Sequence, residues 1–306
     1  VSSLREAVRR NPVVTSESHA VATVGDLVLE GERRLRSSGA DDGRLESELL
    51  LGHALRASRL KLHLSWRDSV DGEAAARYRV LLTEREAGKP VQYVLGEAAF
   101  RELDLRVNEN VLIPRPETET LVELALRRHR AGEIPRGPWV DVGTGSGAIA
   151  LSLALEQPDI PIVAVELSAE ALFIARRNRE LLGCANCCRL VRGTLLAAFR
   201  AGSLAAVVSN PPYVSHKARL HLPREIRAYE PNLALDGGVS GLKIAYQLGL
   251  QAATVLAPGG MLLMELGDEQ PERLATVLRR GGWPGVIDTS SDLTGRTRYL
   301  TAVKGT

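Results

Sequence analysis

The chain has 306 residues, with 39 basic against 37 acidic side chains for a net charge of +2, and 44% hydrophobic residues. That length has room for one large domain or two modest ones. The balanced charge supplies no strong basic field, which argues against extended nucleic-acid binding, and no apolar stretch is long enough to cross a bilayer.

Residues 1–22 hold Arg5, Arg9 and Arg10 among several serines, without the amphipathic run of a transit peptide. They read as an N-terminal extension, disordered or misassigned, and Val1 fits an alternative initiation codon. Residues 23–89 are helical in pattern: Leu27, Leu29 and Leu35 on one segment, then Leu45, Leu49, Leu50, Leu51 and Leu55. Ser69-Val70-Asp71-Gly72 reads as a turn, and Glu73 to Glu86 as a further helix. This small helical domain has no chemical constellation of its own, so substrate-protein recognition and plain packing both remain open.

Over residues 90–112 the period changes to two, Leu103, Leu105 and Val107 alternating with Asp104 and Arg106, which predicts a β-hairpin linker. The segment 113–306 follows as the expected catalytic domain. It opens with Ile113-Pro114-Arg115-Pro116-Glu117-Thr118-Glu119, in which two prolines hold Arg115 extended and Thr118 begins a helix. A rigid active-site wall and an ordinary connector are both open readings of this loop.

Trp139 to Val142 is a short buried strand. It runs into the glycine-rich turn Gly143-Thr144-Gly145-Ser146-Gly147 and a helix carrying Ile149, Leu151, Leu153 and Leu155. Glycines there let the backbone approach a ligand closely. The turn matches a dinucleotide fingerprint only partly, with Ala148 in the last glycine position, and no Lys-Ser/Thr follows to make a P-loop. The second strand, Ile162 to Glu166, ends in a carboxylate about 20 residues beyond the glycines, placed to accept ribose hydroxyls. Capping of the helix that starts near Ser168 is the plainer alternative for Glu166. Cys184, Cys187 and Cys188 lack a fourth Cys or a nearby His, so free thiols and no metal are expected.

Strands are further expected at Cys188–Val191, Leu204–Ser209, Met261–Leu266, from Trp283-Pro284 onward and at Arg298–Val303. Helices are expected over Leu242–Leu256, stopped by Pro258-Gly259-Gly260, and over Glu269–Arg280. This alternation predicts an α/β doubly wound sheet. The strand ending at Ser209 runs into Asn210-Pro211-Pro212-Tyr213. Neither proline has an N–H to give, so the strand tip presents an amide side chain, free carbonyl oxygens and an aromatic face. Such a tip accepts hydrogen bonds from an NH2 group on a planar π system and stacks on that plane. A plain Asn-Pro turn is the bland alternative. Together with an adenosine-type site at the first two strands, this pattern becomes productive with S-adenosylmethionine.

The motifs together resemble the protein-(glutamine-N5) methyltransferases that modify class-I peptide-chain release factors, the HemK/PrmC family. The resemblance is carried by Pro90-Val-Gln-Tyr-Val-Leu-Gly96 with Phe100, and by Val111-Leu-Ile-Pro-Arg-Pro-Glu-Thr-Glu119. It continues through Asp141-Val-Gly-Thr-Gly-Ser-Gly147, Asn210-Pro-Pro-Tyr213, Tyr229-Glu-Pro231, Ala234-Leu-Asp-Gly-Gly238, Gly241-Leu242, and Glu265-Leu-Gly267 with Gln270. It implies a class I S-adenosylmethionine-dependent methyltransferase fold, Rossmann-like with a seven-stranded, mostly parallel sheet. The implied cofactor site comprises Gly143, Thr144, Gly145, Ser146, Gly147, Glu166, Leu195, Asn210 and Phe100. The implied substrate site comprises Asn210, Pro211, Pro212, Tyr213, Arg115 and Glu117, with Asn210, Pro211 and Tyr213 catalytic. Glu166 stands where most relatives have Asp, and Thr194 where an acidic residue usually precedes a bulky one beside the adenine.

The resemblance further implies transfer of a methyl group to N5 of the glutamine in a Gly-Gly-Gln loop, releasing S-adenosylhomocysteine. A cytoplasmic, monomeric enzyme with a release factor as partner, and neither nucleic acid nor membrane, is expected. Asn210 Oδ1 and the Pro211 carbonyl would each accept one N–H of the glutamine amide, and bind it more tightly as the nitrogen gains positive charge. Tyr213 would stack on the amide plane. No general base is needed, because an N-methylated amide cation is strongly acidic. The alternatives are glutamine methylation of a ribosomal protein, DNA adenine-N6 methylation, and a non-catalytic module that holds a translation factor.

Overall fold

The computed structural model describes residues 22–184 and 186–305; residues 1–21, nearly all of the expected extension, lie outside them. The chain divides into two compact units, Val1–Glu86 and Ala87–Thr306.

The first unit is helical: α1 (Val24–Ser37), α2 (Gly43–Leu55), α3 (Arg59–Leu64) and α4 (Gly72–Glu86). Thr23 starts α1 with a capping box, its hydroxyl accepting from Asp26 N at 3.2 Å while Asp26 Oδ2 accepts from Thr23 N at 2.9 Å. Leu27, Leu35, Leu50, Leu51, Leu62 and Leu82 are buried, whereas Leu29 is exposed and takes no part in the apolar face expected of it. The short α3 escapes the sequence pattern because six residues are too few to show a period.

The second unit opens with α5 (Val91–Leu95) and the antiparallel hairpin β1 (Glu97–Phe100) and β2 (Leu103–Arg106). The first part of the segment read as hairpin is therefore a helical turn, ended by Gly96 at φ +74°. Next come α6 (Pro116–Arg130), β3 (Trp139–Val142), α7 (Ala148–Glu156), β4 (Ile162–Glu166), α8 (Ala169–Leu181), β5 (Cys188–Arg192) and β6 (Leu204–Ser209). Three short helices follow, α9 (His216–Arg219), α10 (Arg224–Tyr229) and α11 (Asn232–Leu235). The unit ends with α12 (Lys243–Val255), β7 (Leu256–Glu265), α13 (Gln270–Arg280), β8 (Gly285–Ser291) and β9 (Thr297–Lys304).

The seven-stranded sheet has the order β5-β4-β3-β6-β7-β9-β8, with β9 alone running against the others. The chain moves outward through β4 and β5 on one side of β3, then returns to β6 on the other. That reversal leaves a crevice at the carboxyl ends of β3 and β6, where open α/β sheets bind ligands. Both strands are buried along their whole length.

Two boundaries differ from the sequence pattern. Pro116, not Thr118, is the first residue of α6, with Arg115 extended at the N-cap (φ −108°, ψ 148°), because proline's fixed φ and missing N–H suit the first helical position. Pro258-Gly259-Gly260 is no turn between helix and strand. β7 already starts at Leu256, and the three residues form an irregularity between the pairs Leu204↔Leu256 and Ala206↔Met261.

Candidate active site

A crevice of about 800 Å³ opens at the reversal point, within the size range of small-molecule sites. Gly143, Gly145, Glu166, Leu195, Asn210, Pro211 and Pro212 line it, joined by Thr194, Asn232, Lys243 and Gln247. Gly143 (φ +77°) and Gly145 (φ +55°) have nothing within 4 Å of where a Cβ would stand. Their bare backbone thus borders open space that side chains would fill.

The rest of the glycine turn is structural. Gly147 (φ +90°) packs so closely that a Cβ would meet Leu151 Cδ1 at 2.8 Å. Thr144 Oγ1 donates to Asp141 Oδ2 at 2.6 Å, and Ala150 N donates to the same oxygen at 3.1 Å. Burial pushes the Asp141 carboxyl up to about 7. Ser146 is buried, its carbonyl accepting from Asn178 Nδ2 at 2.8 Å. Thr144, Ser146 and Gly147 therefore shape the turn instead of lining the crevice.

Glu166 caps the start of α8 and also lines the crevice. Its Oε1 accepts from Leu167 N at 2.7 Å and Ser168 N at 2.9 Å, tying β4 to the start of α8, and its Oε2 accepts from Gly145 N at 2.9 Å. A carboxylate has about four acceptor positions, so Oε2 keeps one for a ligand hydroxyl. Leu195 holds a left-handed conformation (φ +48°), and the Leu196 N–H donates to Gln251 Oε1 at 2.9 Å.

At the tip of β6, Asn210 Nδ2 donates to Thr118 Oγ1 at 3.0 Å, and Thr118 Oγ1 donates to Glu265 Oε2 at 2.7 Å. Glu265 ends β7 and is buried at 1% exposure; loss of hydration pushes its carboxyl up to about 7. The Pro211 carbonyl accepts no hydrogen bond from the described residues.

Besides Thr144, Ser146 and Gly147, four more expected site residues do not line the crevice. Phe100 is 1% exposed in the apolar cluster with Leu103, Leu105 and Leu121, because β1 turns alternate side chains inward. Tyr213 packs against the cluster that includes Leu242, Leu266 and Leu274. Its carbonyl accepts from Gln270 Nε2 at 2.9 Å, and burial pushes its phenol up to about 12. Arg115 donates to Glu230 Oε1, and the Glu117 carbonyl accepts from Tyr299 OH at 2.8 Å. Arg115, Glu117, Glu265 and Arg298 all lie within electrostatic reach of the Tyr213 phenol.

Sequence reasoning missed the parts played by Thr118, Glu265, Glu230 and Gln270. All four stand in stretches that carry the family resemblance, but local spacing assigns them no partner. Among the described residues no group of three or more His, Cys, Asp or Glu could hold a metal ion, and no helix is long and apolar enough to cross a membrane.

Two family models match the chain, the PrmC N-terminal domain over residues 26–96 and the methyltransferase small domain over residues 119–238. The release factor glutamine methyltransferase of Moorella thermoacetica is 40% identical over 92% of this chain and 99% of its own length. The protein of the same name from Nitratidesulfovibrio vulgaris is 37% identical over 95% and 97%, and that from Deinococcus radiodurans 38% over 90% and 97%. Among solved structures, the hMettl16 catalytic domain matches with a TM-score of 0.50 at 17% identity, covering 75% of this chain and 81% of that one, a likeness of fold. With that identity sustained over nearly its whole length, the chain belongs to the release factor glutamine methyltransferase family.

Proposed function

We propose that this protein methylates the side-chain amide nitrogen, N5, of the glutamine in the Gly-Gly-Gln loop of class-I release factors. The observation that carries the reading is the state of the β6 tip. Asn210 Nδ2 is engaged by Thr118, while Asn210 Oδ1 and the Pro211 carbonyl accept nothing from the described residues. Two free acceptors side by side suit the two hydrogens of a primary amide.

S-adenosylmethionine suits the crevice beside them: bare glycine backbone at Gly143 and Gly145, one remaining acceptor position on Glu166, and apolar walls from Val142, Val165 and Leu195. Bound there, it supplies an electrophilic methyl carbon on a sulfonium. An amide nitrogen is a weak nucleophile, since its lone pair is shared with the carbonyl. Asn210 and Pro211 favour the form in which nitrogen is positive, and so stabilise the transition state more than the bound substrate. The surplus proton leaves for solvent. The reading places the protein in the cytoplasm with its substrate.

The test is mass spectrometry of a release factor co-expressed with this protein. One methyl group on the glutamine of its Gly-Gly-Gln loop is expected, and an unmodified glutamine would reject the assignment.

A further inference from the structure

The Asn210 side chain must present oxygen to the substrate, yet an amide can turn over and present nitrogen instead. We infer that Thr118 and Glu265 are positioning residues that lock the Asn210 amide in its accepting orientation, through a one-way hydrogen-bond chain from Asn210 to Thr118 to Glu265. The inference rests on the proposed role of Asn210 as acceptor for the substrate amide.

The direction of the chain follows from counting hydrogens. An ionised carboxylate only accepts, so at 2.7 Å from Glu265 Oε2 the single hydroxyl hydrogen of Thr118 points to Glu265. Thr118 Oγ1 is then left with lone pairs alone, and its neighbour at 3.0 Å must donate. That requirement selects the Nδ2 end of Asn210. Its Oδ1 takes no bond from the described residues and is not among the buried side-chain atoms without a partner, so it stays accessible.

Protonation of Glu265 would reverse the direction. A carboxylic acid can donate to Thr118 Oγ1, which frees the Thr118 hydrogen for Asn210 Oδ1 and turns Nδ2 outward. An amide donor would then face the substrate's own donors. Burial favours this protonated form, with the Glu117 carboxylate on α6 acting in the same direction, while Arg115 at the N-cap of α6 and Arg298 on β9 oppose it. The phenols of Tyr213 and Tyr299 also lie within electrostatic reach of Glu265. Methyl transfer should therefore weaken as pH falls through the Glu265 pKa, with no base catalyst involved.

The experiment compares wild type, T118V, T118S and E265Q. It measures kcat and KM for a release factor across pH 5.5 to about 8.5, around neutrality where a perturbed carboxyl titrates, with the Kd of S-adenosylhomocysteine measured separately. T118V is expected to lower kcat about tenfold or more, as loss of positioning does, with the S-adenosylhomocysteine Kd unchanged. T118S, which keeps the hydroxyl, is expected to recover most of that loss. E265Q has no ionisation at this position and is expected to flatten the acid limb of kcat. Equal kcat in T118V and wild type, or T118S as slow as T118V, would overturn the inference. So would an acid limb in E265Q like that of wild type, a result that stands even if T118V fails to fold. A wild type that leaves the release factor unmethylated rejects the proposed function itself, which separates the two failures.

Discussion

Arg115 donates to Glu230 Oε1, and the other oxygen of that carboxylate, Oε2, is buried without a partner. Burial raises the Glu230 carboxyl above its ordinary value, and the Arg115 guanidinium only partly offsets this. An acid whose folded pKa is raised contributes most stability below its unfolded pKa, and that contribution is lost as pH rises through the folded value. Arg115→Met removes the guanidinium that offsets the effect of burial on Glu230. Breaking a buried pair costs about 3–5 kcal/mol, and the partial exposure of Arg115 argues for the low end of that range. Chemical denaturation should show a larger loss at pH 8 than at pH 5; equal losses would mean that Glu230 is not the group left uncompensated.

Asn210→Ala removes the acceptor but leaves the crevice walls in place. By comparison with the loss of one preorganised donor in acyl transfer, it should lower kcat by about 10²–10³-fold. Affinity for S-adenosylmethionine should stay close to wild type, as calorimetry can check. Unchanged turnover would remove Asn210 from the reaction.

The glycines of the turn should separate by readout. Gly145→Ala places a methyl group in open space at a left-handed φ, a backbone strain of about 1–2 kcal/mol. It should weaken S-adenosylhomocysteine binding with a modest drop in Tm. Gly147→Ala adds a collision with Leu151 to a less accommodating φ, so its Tm should fall further. Thermal melts and calorimetry on the same two variants decide the order.

Glu166→Ala frees three backbone N–H groups, those of Gly145, Leu167 and Ser168, from their common acceptor. It should lose both stability and cofactor affinity, the latter by about tenfold if one charged hydrogen bond to a ligand hydroxyl disappears. A variant that loses stability alone would confine Glu166 to joining β4 with α8.

Much of this site is legible along the chain. The glycine turn, the acidic tip of β4 and Asn210-Pro211-Pro212 are local signals, since each depends on conformational demands within a few residues. The directions of Phe100 and Tyr213 are not legible, because they depend on which cluster each ring joins in the folded unit. The chain through Thr118 is hidden for another reason. Its partners lie 92 and 147 positions away, and only the alignment of α6, β6 and β7 brings them together. Pro258-Gly259-Gly260 misleads because the same residues that end a helix also kink a strand.

The position of β9 between β7 and β8 has a consequence for biosynthesis. A chain emerging from the ribosome completes β7 and β8 while the strand that joins them is still to come. Until then both expose unpaired backbone, the open edge that invites wrong pairing. Glu265 lies opposite Tyr299 in that last strand, so the buried surroundings of its carboxylate are absent from the nascent chain. A modifier of translation termination thus acquires the working electrostatics of this site only once β9 has been made and paired.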